Sequence, residues 1–172
     1  TSLRQNTGVV LQDVQLFNDT VFNNITLNNP NISYNKVVEA TKEIGLYNYI
    51  LSLPNGFDYV VSERGISLSA GQKQLIAFIR AYVYNPELFI LDEATATIDS
   101  NTEELIKIAT AKIAHNRTSI IIAHRLSTIK NVDKIVVLDK GQIIETDTPF
   151  NLLNNKNSKF YSMYHLSNTI EV

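Results

Sequence analysis

The chain has 172 residues, of which 44% are hydrophobic and 19% charged, a balance that suits a globular domain with a sizeable core. The formal net charge is -2 and the sequence has no basic cluster, so it lacks the positive charge that is typical of nucleic-acid-binding proteins. The absence of cysteine excludes a disulfide framework and a thiolate metal site, and no apolar run approaches the ~20 residues that a membrane span needs. The chain begins at Thr1 without a secretory signal, and we expect it to be a piece of a longer protein.

Residue patterns in the first half predict one short strand followed by helices. The apolar run at residues 8–11 predicts a buried strand, and an Asn-, Asp- and Thr-rich loop follows it. Ser33 is a suitable N-cap for a helix that reaches Ile44. Residues 46–53 predict a second short helix, which ends at the turn Pro54-Asn55-Gly56.

The next segment predicts a longer helix that begins beyond Ser69 and reaches about Tyr84. Three apolar residues repeat at helical spacing along it, and Asn85-Pro86 stops it. These three residues, which predict the buried face, are Leu75, Ile79 and Tyr82.

Strands and helices alternate in the second half. Ser100 and Glu103 stand at capping-box spacing and are expected to open a helix to about Ala114. This alternation predicts a parallel sheet that is covered by helices on both faces. The predicted strands are 88–91, 118–123, 134–139 and 142–146, and the last helices are near 150–153 and 158–165.

Two adjacent carboxylates, Asp92 and Glu93, end the apolar strand at residues 88–91. Ligands bind at the carboxyl ends of parallel strands, and successive side chains on a strand point to opposite faces. One carboxylate can therefore hold Mg²⁺, usually through water, while the other orients or deprotonates an attacking water. A solvated strand end that happens to be acidic explains the pair as well.

Three further segments carry weaker signals. Residues 69–72 (Ser-Ala-Gly-Gln) open a helix whose free N–H groups suit a phosphate, although a plain N-cap gives the same pattern. His124 follows a strand and can donate a hydrogen bond to a phosphate oxygen, or it is a structural side chain. Gln12 ends the first strand, where its carbonyl can contact Mg²⁺ or water.

The four segments occur in one order: VVLQDVQLF at 9–17, LSAGQ at 68–72, FILDEAT at 89–95 and AHRLST at 123–128. Together they resemble the nucleotide-binding domain of ATP-binding cassette (ABC) transporters, and the resemblance covers nearly the whole chain. SERG at residues 62–65 and the LST that follows the histidine resemble exporter-type members of this family.

The resemblance implies roles for the residues that match the family's motifs. Gln12 would be the Q-loop glutamine that contacts Mg²⁺ and senses the transmembrane domain, and Asp92 would be the Walker B aspartate that holds Mg²⁺. Glu93 would be the catalytic base, and His124 the switch histidine at the γ-phosphate of ATP.

The resemblance also implies that the chain pairs with a second nucleotide-binding domain. Ser69, Gly71 and Gln72 would contact the γ-phosphate of an ATP held by the opposite subunit. Asp99 would lie in the D-loop at the dimer interface. Ala70 stands where the family usually has Gly, so its methyl group could crowd the phosphate or strain the backbone. Ser62 replaces a usual Gly, and Lys73 a usual Arg.

The fold implied by the resemblance is the α/β fold of P-loop nucleoside triphosphatases, with a RecA-like parallel sheet core and an α-helical subdomain. Residues 1–17 and 85–172 would form part of the core, and residues 18–84 the helical subdomain with the signature motif.

None of the six glycines is followed by lysine, so the printed chain lacks the G-x-x-x-x-G-K-[ST] of a P-loop. In the family, the P-loop strand lies between the strands that correspond to 118–123 and 134–139. Its absence would leave two edges unpaired. We therefore expect the chain alone to rearrange, to pair with another chain or to aggregate, and to bind Mg-ATP weakly.

The implied function is an ATPase that powers export, inactive as this piece alone. It would use ATP and Mg²⁺, a second nucleotide-binding domain and a transmembrane domain in the same polypeptide, at the cytoplasmic face of a cell membrane. Nucleic acid is not an expected partner. Two alternatives stay open: a soluble ABC-class ATPase that is not a transporter, and a non-catalytic interaction fragment.

Overall fold

The computed structural model describes residues 3–62, 67–92, 98–123 and 132–170. The chain divides into two compact units, Thr1–Ile122 and Ala123–Val172.

The first unit contains a three-stranded parallel sheet. Its strands are β1 (Thr7–Val10), β2 (Leu88–Asp92) and β3 (Thr118–Ile122), in the order β1-β2-β3. Val10 pairs with Leu91, and Leu91 pairs with Ile121. Because the strands are parallel, their carboxyl ends lie at one edge of the sheet.

Helices and turns make up most of the remaining structure of the first unit. 3₁₀ turns lie at Leu3–Asn6 and Gly56–Asp58. The helices are α1 (Val21–Thr26), α2 (Tyr34–Glu43), α3 (Tyr47–Ser52), α4 (Ala70–Val83) and α5 (Ser100–Ala114).

Helix α4 lies at the centre of this unit. It packs against α1, α2, α5 and β1. Apolar side chains on several of its faces are therefore buried, whereas the sequence predicted a single apolar stripe. The fully buried side chains include Leu75, Ile76, Phe78 and Ile79, and Tyr82 packs against the core only in part.

Most of the predicted helix starts are confirmed. The Ser33 side chain accepts a hydrogen bond from the Lys36 N–H and caps α2. Ser69 caps α4 in the same way. The first strand and the helices α2 and α3 fall within one or two residues of their predicted positions.

The predicted start of α5 is wrong by one residue. The N-cap is Asp99, whose Oδ1 accepts a hydrogen bond of 3.0 Å from the Thr102 N–H, and Ser100 is the first helical residue. Glu103 therefore lies one position too far along for the capping box, and it pairs with Lys107 at 3.0 Å. Asp and Ser are both good N-caps, so spacing alone did not distinguish them.

The prediction of a sheet covered on both faces is also wrong for the described residues. Val10, Leu91 and Ile121 share the face that packs into the core. The opposite face remains open at β3, where Ile120 and Ile122 are each 50% exposed.

The second unit contains an antiparallel hairpin and two helices. Strands β4 (Ile135–Asp139) and β5 (Gln142–Asp147) pair, and the chain turns at Gly141 with a φ of 77°. Thr148 caps α6 (Pro149–Asn154), which has Pro at its first position as predicted. Helix α7 (Lys159–Ile170) follows. A small core is formed by Ile135, Val137, Leu152 and Phe160.

Strands β3 and β4 belong to different sheets. The direct pairing of these two strands that would have indicated a rearranged sheet is therefore not found within the described ranges. Nor does any helix among those ranges have the length and apolarity that crossing a membrane requires.

Candidate nucleotide site

The carboxyl edge of the parallel sheet carries two of the predicted site residues. Val10 and Leu91 are a paired position, so Asp92 lies one residue beyond that pair and Gln12 two residues beyond it. Gln12 is exposed and Asp92 is partly buried. The structure thus brings a carboxylate and an amide from neighbouring strands to one edge of the sheet.

The donor set at this edge suits Mg²⁺, because that ion prefers oxygen ligands such as carboxylates and carbonyls. Within the part of the chain that the structure describes, the side chains of Gln12 and Asp92 make no hydrogen bond that would occupy their oxygens.

The other two predicted residues of this edge, Glu93 and His124, lie outside the described residues. Glu93 follows Asp92 directly in the sequence, and His124 follows Ala123, the residue after β3.

A cleft of about 240 Å³ connects the segment after β1 with the first turn of α4. Ala70 and Lys73 contribute the α4 side of the cleft, and Gln12 contributes to the other. The structure therefore brings the predicted Q-loop glutamine and the predicted signature segment together. The complete lining is Gln12, Asp13, Val14, Gln15, Ala70 and Lys73.

The first turn of α4 is held by a reciprocal capping box. The Gln72 N–H donates to Ser69 Oγ at 3.2 Å, and the Ser69 N–H donates to Gln72 Oε1 at 2.9 Å. Tyr49 of α3 donates its hydroxyl to the Gln72 carbonyl at 3.3 Å. Ser69 is exposed and Gln72 partly buried, so the cap orders both side chains near the surface.

Ala70 is the first helical residue of α4, and it is not among the residues with positive φ. The backbone strain that its replacement of glycine could have caused is therefore absent. Its exposed methyl group lines the cleft instead.

Gly71 faces the protein interior. It is buried, and a Cβ placed there would lie 2.6 Å from Thr102 Cγ2 and 2.8 Å from Ile98 Cγ2. The structure therefore places Gly71 in a tight contact with the start of α5.

Asp99 is connected to this contact because it is the N-cap of α5 and accepts a hydrogen bond from Thr102. The Thr102 backbone N–H donates to Asp99 Oδ1 at 3.0 Å, and the polar groups of Thr102 hold the pKa of the Asp99 carboxyl below the ordinary value. Asp99 itself is exposed. Thr102, which the sequence did not single out, thus touches both the signature helix and the predicted D-loop residue.

Asn24 is a second residue that the sequence did not single out. It is fully buried, and its amide accepts from the Phe17 N–H at 2.8 Å and donates to the Phe17 carbonyl at 3.0 Å. Arg80 of α4 donates to the Asn24 carbonyl at 2.9 Å. Asn24 therefore ties the segment after Gln12 to α4. An asparagine in the last turns of a short helix gives no sequence signal for this role.

Comparison with solved structures establishes the class of fold. The chain matches "Structure of a bacterial Atm1-family ABC exporter with ATP bound" with a TM-score of 0.84 and 40% identity, over 95% of this chain and 28% of that one. The predicted class is thereby confirmed: the chain has the α/β fold of P-loop nucleoside triphosphatases.

The family model "ABC transporter" matches residues 1–96, more than half of the chain. The chain belongs to the ABC transporter family.

Three curated relatives give the degree of similarity. An uncharacterized ABC transporter ATP-binding protein, YknU, from Bacillus subtilis is 44% identical over 96% of this chain and 28% of its own length. The alpha-hemolysin translocation ATP-binding protein HlyB of Escherichia coli is 45% identical over 95% of this chain and 23% of its length. The mitochondrial iron-sulfur clusters transporter ABCB7 of Rattus norvegicus is 44% identical over 98% of this chain and 22% of its length. The chain thus spans about a quarter of the length of these relatives.

Proposed function

We propose that this chain is part of the ATP-hydrolysing cassette of an ABC exporter. The observation that carries the proposal is the meeting of Gln12 and Asp92 at the carboxyl edge of a parallel sheet, in a chain of the ABC transporter family. The similarity to translocation and export proteins supports export as the process that hydrolysis drives.

In this proposal Asp92 and Gln12 hold the metal side of the site. The Asp92 carboxylate would hold Mg²⁺ directly or through water, and the Gln12 amide oxygen would be a second oxygen ligand. When bound, Mg²⁺ neutralises charge on the phosphates of ATP. Asp92 is the last residue of β2 and Gln12 lies two residues after β1, so the sheet brings both to its carboxyl edge.

Hydrolysis itself is assigned to Glu93 and His124. Glu93 orients and deprotonates the water that attacks the γ-phosphorus, so the proton moves from that water to the carboxylate. His124 donates a hydrogen bond to a γ-phosphate oxygen and stabilises the charge that develops there.

The signature residues act on an ATP molecule held by a second nucleotide-binding domain, which is either a copy of this one or a related chain. Ser69, Gly71 and Gln72 present the start of α4 to the γ-phosphate, where the helix dipole favours negative charge. Asp99 lies at the interface between the two domains.

The remaining assignments concern the whole protein. Residues 18–84 form the helical subdomain, and the other residues belong to the RecA-like core. A transmembrane domain in the same polypeptide places the cassette at the cytoplasmic face of a membrane. Residues 1–172 alone are inactive, because the lysine and N–H groups of a P-loop are needed to hold the phosphates.

The metal-binding role of Asp92 gives a direct test. In the full-length protein, Asp92→Asn removes the negative charge that attracts Mg²⁺, so Mg-ATP turnover is expected to fall by roughly a hundredfold. The matched control is Asp139→Asn, which makes the same change at the exposed end of β4 and should alter turnover less than about twofold. The measurement is phosphate release as a function of Mg²⁺ concentration.

The two variants separate a metal site from a general charge effect. An equal loss in both would mean that Asp92 has no special role. Wild-type protein without Mg-ATP turnover would argue against the proposed function as a whole.

A further inference from the structure

The start of the signature helix is packed unusually closely against the start of α5. A Cβ on Gly71 would lie 2.6 Å from Thr102 Cγ2 and 2.8 Å from Ile98 Cγ2, distances that real Cβ atoms essentially never show. Both neighbouring atoms are methyl groups at branched Cβ positions, which cannot turn away without a change of rotamer.

Backbone conformation does not explain the glycine at this position. Gly71 is inside the first turn of α4 and its φ is not in the positive region. Glycine is a poor helix former, so it is disfavoured here on propensity alone. A side chain is therefore excluded at Gly71 because the gap between the start of α4 and the start of α5 is too narrow for a Cβ.

Thr102 connects this contact to Asp99. Thr102 is only 8% exposed, and its methyl group occupies the space beside Gly71. Its backbone N–H donates to Asp99 Oδ1 at 3.0 Å. One buried residue therefore contacts the proposed signature segment with its methyl group and the predicted D-loop residue with its backbone N–H.

We infer that Thr102 is a positioning residue that holds the signature segment and Asp99 as one rigid joint, and that Gly71 is glycine because this joint leaves no space for a Cβ. The inference rests on the proposed function for its effect on ATP turnover. It assigns Gly71 a packing role in addition to any contact with phosphate.

The joint has a consequence for the interface between two cassettes. The second domain would face three polar residues of the joint. These are Ser69 and Gln72, which lie on either side of Gly71 in the sequence, and Asp99. Because Thr102 links them, a displacement of one is transmitted to the other over a short, packed path.

Four substitutions in the full-length protein test the joint by rescue. Gly71→Ala introduces the clashing Cβ. Thr102→Ser removes only the methyl group and keeps the hydroxyl, whereas Thr102→Val keeps a methyl group and removes the hydroxyl. Ile98→Leu removes the second close methyl, so Gly71→Ala with Thr102→Ser and Ile98→Leu relieves both contacts.

Two readouts are measured for each variant: kcat/KM for Mg-ATP, and amide hydrogen exchange of the peptide that contains residues 69–75. Gly71→Ala should lower kcat/KM by about tenfold or more and accelerate exchange in the first turn of α4. Thr102→Ser removes the closer contact and should recover part of both readouts. The triple variant also removes the Ile98 contact and should return them to within about threefold of the values without the alanine. Thr102→Val should not rescue.

Gly8→Ala provides a matched control, because a Cβ at Gly8 would lie 2.7 Å from Pro86 Cγ, a comparable clash away from the joint. Adding Thr102→Ser to Gly8→Ala should leave the effects of Gly8→Ala on kcat/KM and hydrogen exchange unchanged. This control separates local relief from general stabilisation.

Two results would overturn the inference. In one, Gly71→Ala leaves hydrogen exchange in the first turn of α4 unchanged. In the other, Gly71→Ala lowers kcat/KM as much in proteins that also carry Thr102→Ser, with or without Ile98→Leu, as it does by itself. That result would mean that glycine is needed for close approach of a ligand. If the wild type does not hydrolyse ATP, the proposed function fails, while the exchange readout still decides whether the joint exists.

Discussion

Glu145 anchors the start of α7 with a single carboxylate. It accepts hydrogen bonds from the Ser158 hydroxyl at 2.9 Å, the Lys159 N–H at 2.6 Å and the Phe160 N–H at 3.1 Å. The N–H groups in the first turn of a helix have no partner within the helix. Ser158 Oγ accepts from the Tyr161 N–H at 3.2 Å, and the Glu145 carboxylate accepts from the two N–H groups before it. These bonds, first that from Lys159, lower the pKa of Glu145 below its ordinary value of 4.5.

Removal of this charge should loosen the start of α7. Glu145→Gln is expected to lower the local free energy of opening by about 1 kcal/mol, which accelerates amide exchange of residues 159–162 roughly fivefold. Since the folded chain has the lower pKa, the carboxylate contributes its stabilisation above pH 4.5 and loses it as the pH falls below that value. The difference between wild type and variant should therefore shrink in acid.

Glu104→Gln is the matched control, because it removes the same charge from an exposed position on α5. Exchange in α7 should not respond to it. A difference between wild type and Glu145→Gln that grows toward low pH would contradict this interpretation of Glu145.

Asn24 is the buried amide on which the segment after Gln12 depends. Asn24→Ala leaves the Phe17 N–H and carbonyl without their partner, so it should destabilise this segment by about 2–4 kcal/mol. Amide exchange at Phe17 measures the effect. Asn48→Ala, at an exposed position of α3, should cost less than about 0.5 kcal/mol. Equal effects of the two substitutions would mean that Asn24 does not order the segment.

Residue patterns indicated some of these side chains and missed others. The place of Gln12 and Asp92 at the carboxyl edge of the sheet could be predicted, because each follows or ends an apolar segment that forms a strand. Thr102 and Asn24 could not, because their importance depends on Gly71 and Phe17, which are near them only in the folded chain.

At the scale of elements, the start of α4 combines a structural cap with a proposed phosphate contact. Ser69→Asp separates the two, since aspartate is as good an N-cap as serine but carries a negative charge. Helix stability should stay within about 0.5 kcal/mol of wild type. Mg-ATP turnover by the full-length protein should fall roughly tenfold or more, because the charge repels the γ-phosphate.

Ser33→Asp makes the same change at the N-cap of α2, where no nucleotide contact is proposed. Turnover should then change less than about twofold. If Ser69→Asp and Ser33→Asp had the same small effect on turnover, the start of α4 would not approach phosphate.

The helices with a clear N-cap were predictable, and the surroundings of α4 were not. Ser33, Ser69 and Thr148 each precede an apolar periodic segment and cap as expected. The spacing of apolar residues predicted one apolar face on α4, whereas the helix is buried on several sides by α1, α2, α5 and β1. The spacing of apolar residues predicts which face of a helix is apolar. It does not predict how many other elements pack against the helix.

At the scale of the whole molecule, the α/β class was predictable because strands and helices alternate and four motif segments occur in family order. Coverage of the sheet was not predictable, since an apolar strand such as β3 has the same composition whether one or both of its faces are packed. In the described chain Ile120 and Ile122 are half exposed.

The central claim is that this chain carries the catalytic carboxylate of an ATP-hydrolysing cassette. The most direct measurement compares ATP binding and phosphate release by the full-length protein with those of its Glu93→Gln variant. We predict unchanged ATP affinity and turnover reduced by roughly a thousandfold, because glutamine keeps the shape of the side chain but cannot accept the proton of the attacking water. Turnover close to that of the wild type would contradict the claim.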